Sequence, residues 1–207
     1  MTNLKDIAEQ TVDIYQRNAE AWDQQRSKVL FEKHWLDRLL EVLPAQPSIL
    51  DVGCGAGDPI ADYLIKSGAS VTGIDAASSM VDICKSRFSQ YSWHTIDMRE
   101  LSLNQAFDGI IAWDSFFHLT PTEQTAVLDR FIKHLKPGGA MLITIGDEAG
   151  EVLGAVNGET VYHSSLAPDE YKQRLINAGF GQVETKLVDL SCAEHSILFA
   201  SDFRESY

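Results

Sequence analysis

The feature that most constrains this chain is a short apolar run that ends in a cluster of glycines and leads straight into a helix start. Residues 49–57 read Ile-Leu-Asp-Val-Gly-Cys-Gly-Ala-Gly, and Asp58-Pro59 follow. Ser48 to Val52 has the length and apolar content of a buried strand. Glycine takes a left-handed backbone without a Cβ clash, so the chain can turn sharply after Val52. Asp58 as N-cap with Pro59 at the first helical position predicts a helix there. Strand, glycine turn and helix together make half of a βαβ unit, which needs a parallel sheet to complete it.

The rest of the chain supplies that sheet. After the helix that Gly68 ends, strands are expected at residues 70–74, 92–96, 109–113 and 140–145. Helices are expected between them, one starting at Ser78 or Ser79. Another starts at Thr120-Pro-Thr-Glu123, which has the capping-box spacing. Residues 146–167 read as an irregular insertion. Pro168 opens a helix that Gly179 closes, and two strands near residues 182–190 and 196–200 follow with no helix between them, so they should pair antiparallel. Ahead of the first strand, residues 3–26 and 29–43 read as two helices, the second stopped by Pro44 and Pro47. The expected organisation is a single domain over 1–207, with a helical cap at 1–44 and an α/β core from 45 onward.

Composition narrows the function classes. The net charge of -13 and the absence of clustered Lys and Arg argue against a surface that tracks phosphates, so nucleic acid is not an expected partner. No run of about 18 apolar residues suggests a membrane span, and the acidic start is unlike a signal peptide. Three scattered cysteines read as reduced thiols in a cytoplasmic protein.

In doubly wound sheets the ligand sits outside the carboxyl ends of the strands. Four segments end strands at that edge. The glycine loop and the helix after it offer backbone N–H groups and a positive dipole end to an anionic group such as a carboxylate. Asp75 ends the second strand, where an acid accepts hydrogen bonds from ribose hydroxyls. Asp97-Met98 pairs an acid for an exocyclic amino group with an apolar cover for a purine ring. Trp113-Asp-Ser-Phe-Phe-His118 ends the fourth strand, where a transferred group would lie. The glycine pattern departs from the dinucleotide fingerprint: its third glycine comes one residue early, and Asp58 would oppose a pyrophosphate.

On these residues the chain resembles the class I S-adenosylmethionine-dependent methyltransferases. The match covers the glycine motif, Asp75, Asp97-Met98, Phe107-Asp-Gly-Ile-Ile-Ala-Trp113, Leu135-Lys-Pro-Gly-Gly-Ala-Met-Leu142 and the Gly-Phe pair closing Pro168–Phe180. The resemblance implies a Rossmann-like seven-stranded, mostly parallel sheet of order 3-2-1-4-5-7-6 with strand 7 antiparallel, helices on both faces and an N-terminal helical lid. It implies S-adenosylmethionine as cofactor, S-adenosylhomocysteine as product and a small molecule as methyl acceptor, in a monomer or homodimer. Cofactor contacts are expected from Asp51, Gly53, Gly55, Gly57, Asp75, Ala76, Met80, Asp97, Met98, Trp113 and, from the lid helix, Tyr15. Substrate contacts are expected from Trp22, Arg26 and Tyr162. No Asn/Asp-Pro-Pro-aromatic sequence follows the fourth strand, which weakens a nucleic-acid base or protein amide as target.

Methyl transfer from a sulfonium needs positioning and desolvation above all, with a base only for a protonated nucleophile. His118 is the first candidate base and His163 the second. Cys192-x-x-His195 gives two metal-type ligands without a partner pair, too few for zinc. The other readings open at this point are a non-catalytic S-adenosylmethionine or S-adenosylhomocysteine binding module, and another enzyme on the same fold, such as an aminopropyl transferase or a dehydrogenase.

Overall fold

The computed structural model describes residues 3–205. Helices α1 (Leu4–Gln25) and α2 (Lys33–Val42) precede the core. The core then alternates β1 (Ser48–Val52), α3 (Ile60–Lys66), β2 (Ser70–Asp75), α4 (Ser78–Arg87), β3 (Ser92–Thr95), β4 (Phe107–Ala112), α5 (Pro121–Lys133) and β5 (Leu135–Ile145). A hairpin follows, β6 (Gly150–Val156) and β7 (Glu159–Ser165). Helix α6 (Pro168–Ala178) leads to β8 (Phe180–Asp189) and β9 (His195–Phe203).

Seven strands form one sheet in the order β3-β2-β1-β4-β5-β9-β8. The first five run parallel, and β9 is antiparallel to both β5 and β8. This is the order expected from the sequence, with β8 and β9 as its sixth and seventh strands.

Strand residues alternate between two apolar layers because successive side chains leave opposite faces of the sheet. Leu50, Ile110 and Met141 meet Val127, Leu128 and Phe131 of α5 and Tyr171 and Leu175 of α6. Ile49, Ile111 and Leu142 meet Leu36 and Leu39 of α2, Leu64 of α3 and Val81 of α4. With both faces covered, β1 and β4 read as continuous apolar runs. A third, smaller cluster docks α1 on the core: Tyr15, Ala19 and Trp22 pack on Ala56, Ala77 and Met80.

The helix ends agree with sequence expectation at Thr120, where the capping box forms, and at Gly179, which ends α6 at φ 108°. They differ at three places. Asp58 does not cap α3; the helix starts at Ile60 after Pro59, and the Asp58 carboxylate faces Lys28 Nζ at 3.3 Å. Neither serine caps α4, whose cap is Ala77; Ser79 instead donates through its hydroxyl to the Gln16 carbonyl in α1. The second helix begins at Lys33 rather than at residue 29, because Leu30 and Phe31 turn inward against the core and Phe31 stacks on His195.

The expected irregular insertion at 146–167 is instead mostly ordered as the β6–β7 hairpin. Its two-residue turn is Asn157-Gly158, both at positive φ (49° and 81°), the geometry in which strand twist and turn twist agree. Arg17 and Asn18 of α1 hydrogen-bond Glu159 at the base of that turn, and Asn157 donates to Asn18. Lid helix and hairpin are thereby clasped into one roof.

Candidate active site

A cleft opens at the carboxyl ends of β1, β2 and β4, under α1.

The glycine loop forms its floor. Gly53 N–H and Cys54 N–H both donate to the Ile74 carbonyl, at 2.8 and 3.0 Å, which folds the loop back over β2. Gly53 has φ 69°, and a Cβ there would lie 2.3 Å from Ser115 Cβ. Ser115 needs that space because its hydroxyl donates to the Val52 carbonyl at 2.7 Å, pinning the loop after β4 onto the glycine loop. At Gly55 the neighbour is the Trp22 ring of the lid, 3.1 Å from where a Cβ would stand. Glycine at these two positions lets the wall of β4 and the lid close on the same loop.

Asp75 joins this loop to α4. Its carboxylate accepts from Gly55 N–H (2.9 Å) and Ala77 N–H (2.8 Å). Burial raises its pKa to about 6 against those two donors. Asp51, at the end of β1, is buried more deeply, and its pKa is pushed up to about 7 by desolvation and then by the neighbouring charge of Asp75. Asp97 also lines the cleft, but its carboxylate is gripped by Arg99, whose Nε reaches both oxygens at 3.0 Å and whose backbone N–H adds a third contact at 2.9 Å. Burial alone would raise Asp97; the Arg99 partners outweigh it and hold it below its ordinary value. Arg99 in turn reaches Glu123 of the α5 capping box at 3.1 Å. Met98, Ala76 and Met80 complete this end of the wall.

At the other end, His118 sits on a single 3₁₀ turn, Phe116–His118. Its Nδ1 lies 2.9 Å from the Tyr162 carbonyl, so this nitrogen carries the proton and donates. Nε2 is therefore the bare nitrogen, and Tyr15 Oη donates to it at 2.9 Å. Burial brings the His118 pKa down to about 4 and pushes the Tyr15 phenol above its ordinary value.

Fourteen of the sequence's candidate residues come together on this wall: Asp51, Gly53, Gly55, Gly57, Asp75, Ala76, Met80, Asp97, Met98, Trp113, His118 and, from the lid, Tyr15, Trp22 and Arg26. Two candidates do not. The Tyr162 side chain is fully buried beneath the hairpin, its hydroxyl donating to Glu151 at 2.5 Å, and only its backbone oxygen contributes, to His118. His163 packs beside His118 and Phe117, at 4.9 and 4.6 Å between ring centres, in the space left by Gly154, outside the cleft lining. On a strand, neighbours point to opposite sides, and neither side of β7 presents its side chain to the cleft.

Sequence reasoning missed a charged group beside Trp113. Asp114 has φ 50°, a conformation that aspartate tolerates better than most residues. Its Oδ1 meets His195 Nε2 at 2.9 Å, while Oδ2 lies 3.4 Å from Arg26 Nη1. His195 Nδ1 faces the Cys192 carbonyl at 2.8 Å. Both ring nitrogens thus face acceptors, an arrangement that favours the imidazolium, and the pKa is raised first by the hydrogen bond to Asp114. This pairing also accounts for the Cys192-x-x-His195 spacing without a metal. Arg26 lies over the Trp22 ring at 5.1 Å and has a second carboxylate, that of Glu32, 3.7 Å away.

The comparisons with known proteins agree with this geometry. Residues 49–139 match the family model described as a methyltransferase domain. A dTDP-3-amino-3,4,6-trideoxy-alpha-D-glucopyranose N,N-dimethyltransferase from Streptomyces venezuelae is 28% identical over 102 residues, 48% of this chain and 43% of that protein. A ubiquinone biosynthesis O-methyltransferase from Chelativorans sp. is 28% identical over 147 residues, 63% of this chain and 57% of that protein. The matches span about half the length of these curated relatives. Among solved structures, the S-adenosylmethionine-bound amino pentose methyltransferase CalS10 from Micromonospora echinaspora superposes with a TM-score of 0.68 at 19% identity, covering 90% of this chain and 96% of that one. The CcbJ methyltransferase from Streptomyces caelestis superposes with a TM-score of 0.72 at 14% identity, covering 92% and 98%. Residues 49–139 match a methyltransferase domain, and in its sheet order and glycine loop the chain is similar to the class I S-adenosylmethionine-dependent methyltransferases.

Proposed function

We propose that this protein transfers a methyl group from S-adenosylmethionine to a small molecule bound under the α1 and β6–β7 roof. The observation that carries the reading is the convergence of the glycine loop, Asp75 and Asp97 on one cleft at the carboxyl edge of the sheet. The bound cofactor supplies an electrophilic methyl on a sulfonium. The glycine loop, which lets a ligand approach the backbone without a Cβ in the way, would hold its amino-acid end. Asp75 accepts from the ribose hydroxyls with the lone pairs that Gly55 and Ala77 leave open. Asp97 and Met98 hold the adenine. The Asp97 carboxylate does so while fixed by Arg99, so the base meets a pre-oriented acceptor.

The electrostatics of the cleft suit a cation. Five aspartates line it against two arginines, and Asp51 and Asp75 are both raised toward neutrality by their burial. A sulfonium placed near them favours their ionised forms, whereas the neutral thioether product does not. Among the described residues no helix is long and apolar enough to cross a membrane, and a substrate that enters from water fits the open side of the cleft. Trp22, Arg26, His118 and Tyr15, which line the same cleft, would face the acceptor.

A thermal-shift titration with S-adenosylmethionine, S-adenosylhomocysteine and NAD tests the cofactor assignment. Stabilisation by the first two and not by NAD is expected. Stabilisation by NAD alone, or by none of the three, overturns it. Release of S-adenosylhomocysteine in a metabolite screen then tests turnover.

A further inference from the structure

The charged cluster beside Trp113 is left over once the cofactor groups are assigned. It contains Arg26, Glu32, Asp114 and His195. The Asp114 carboxylate is held firmly at one oxygen and weakly at the other. Oδ1 has a firm partner in the His195 ring, whereas Oδ2 meets Arg26 at 3.4 Å, the outer edge of hydrogen-bonding distance. Arg26 is shared between two acids and bonded tightly to neither, standing 3.7 Å from Glu32. Glu32 is fully buried, and among the described residues neither of its carboxylate oxygens has a hydrogen-bond donor. A buried carboxylate without a donor is costly. Arg26 thus has an unfilled partner on one side and a replaceable one on the other.

Resting on the methyltransferase reading, we propose that Asp114 is the acceptor-binding group of this site, that its Oδ2 takes an amine nitrogen of the substrate, and that Arg26 moves onto Glu32 when it does. The exchange leaves every charge paired. Arg26 gains the acid that lacks a donor, and the incoming ammonium replaces Arg26 on Asp114. The acidic lining of the cleft favours that direction over an anionic substrate seated on Arg26, since Arg26 already faces two carboxylates.

An amine also fits the proton chemistry of the wall. An alcohol must lose its proton as it is methylated, so it needs a base nearby. His118 is brought down to about 4 by burial. Burial would raise Asp114, but His195 and Arg26 outweigh it and leave it below the ordinary carboxylate range. Neither of these two groups holds a hydroxyl proton well, which leaves an alcohol only the more deeply buried Asp51 and Asp75. An arriving ammonium instead loses one proton to solvent on the open side of the cleft. Its nitrogen lone pair then forms the new N–C bond, the electron pair of the broken C–S bond stays on sulfur, and the methylated product carries the positive charge.

The test uses full-length protein loaded with S-adenosylhomocysteine and three probes of one shape: cyclohexylamine, cyclohexanol and cyclohexanecarboxylate, titrated by calorimetry. A charge-assisted hydrogen bond contributes about 1.5–3 kcal/mol, so the amine should bind at least roughly ten-fold tighter than the alcohol. Asp114→Asn should abolish that preference while keeping affinity for S-adenosylhomocysteine. A wild-type measurement covers the case in which the variant does not fold: in protein with ¹⁵N-labelled histidine, the amine should shift the His195 resonances and leave His134, bonded to Leu103 and Arg130, unmoved. Tightest binding by the carboxylate, equal binding of amine and alcohol, or an unmoved His195 overturns the proposal. Failure to load S-adenosylhomocysteine at all would instead sink the methyltransferase reading beneath it.

Discussion

Replacing Asp51 by asparagine should make the cofactor-free protein more stable, and only above a defined pH. The Asp51 side chain is 3% exposed, and its pKa is raised to about 7 by desolvation, then by Asp75, with Arg26 pulling weakly the other way. An unfolded aspartate titrates near 3.9. The folded state therefore binds more protons than the unfolded state between about pH 4 and pH 7, and the contribution of Asp51 to stability falls as pH rises through that window. A difference of about 3 pKa units at 1.36 kcal/mol each gives about 4 kcal/mol, reached in full only above about pH 7. This is an upper value, because opening of the cleft or entry of water would lower it. Asparagine keeps the shape and avoids the charge. At about pH 8 the variant should unfold later by on the order of 10 °C for a chain of this length, and near pH 4 the two curves should meet. Thermal unfolding followed by circular dichroism across that range gives the difference curve, which removes the contributions of other titrating groups that are the same in both proteins. The variant should lose most of the further stabilisation that S-adenosylmethionine gives the wild type. An Asp51→Asn protein no more stable than wild type at about pH 8, or a stability difference that ignores pH, would refute the argument that this acid is held at a cost for the cation.

Other consequences are simpler to state. Asp75→Ala should weaken S-adenosylmethionine binding at least roughly ten-fold, about 1.4 kcal/mol, because it removes the ribose acceptor and unties Gly55 from Ala77; calorimetry showing unchanged affinity would count against the ribose role. For His118, whose neutral form persists down to about pH 4, turnover at saturating cofactor should show no limb near pH 6.5 that His118→Ala removes; finding such a limb would show an imidazole with an ordinary pKa. Glu159→Ala removes the partner of Arg17 and Asn18, so amide exchange should quicken across Leu4–Gln25 while β1, β4 and β5 stay protected; equal protection in α1 would show that the clasp does not hold the lid.

The parts of this molecule that were legible in the sequence are those fixed by neighbours along the chain. The glycine loop, the Thr120 capping box and the Gly179 helix end each depend on a few consecutive residues, and each formed as read. The hairpin at 150–165 was equally local, since Asn157-Gly158 is a strong two-residue turn signal, but the mostly exposed strand β6, Gly-Glu-Val-Leu-Gly-Ala-Val, lacks the alternation of polar and apolar residues that marks a half-buried strand. What lay beyond reading was pairing over long separations. His118 is a different base when Tyr15 and the Tyr162 carbonyl occupy its two nitrogens, and those partners lie 103 and 44 residues away. Asp97 is a local exception: Arg99, two residues on, folds back and takes both of its oxygens. Cys192-x-x-His195 resembled half a metal site because Asp114, 81 residues distant, was not yet beside it.

The same long-range pairings explain why the site is built at the expense of stability. Asp51, Asp75 and Glu32 are all raised by burial, and among the described residues Glu32 has no hydrogen-bond donor, so the fold holds acids that water would solvate better. Each would be cheaper as an amide or an apolar residue. Their arrangement is favourable only when positive charge arrives: a sulfonium near Asp51 and Asp75, and a redistribution of Arg26 that satisfies Glu32. A protein stabilised for its own sake would lack this cluster, and a binder of neutral or anionic ligands would have no use for it. Cofactor and acceptor each relieve part of the same excess of buried negative charge, and two cations in one cleft repel, so whichever binds second should gain less from it than the first.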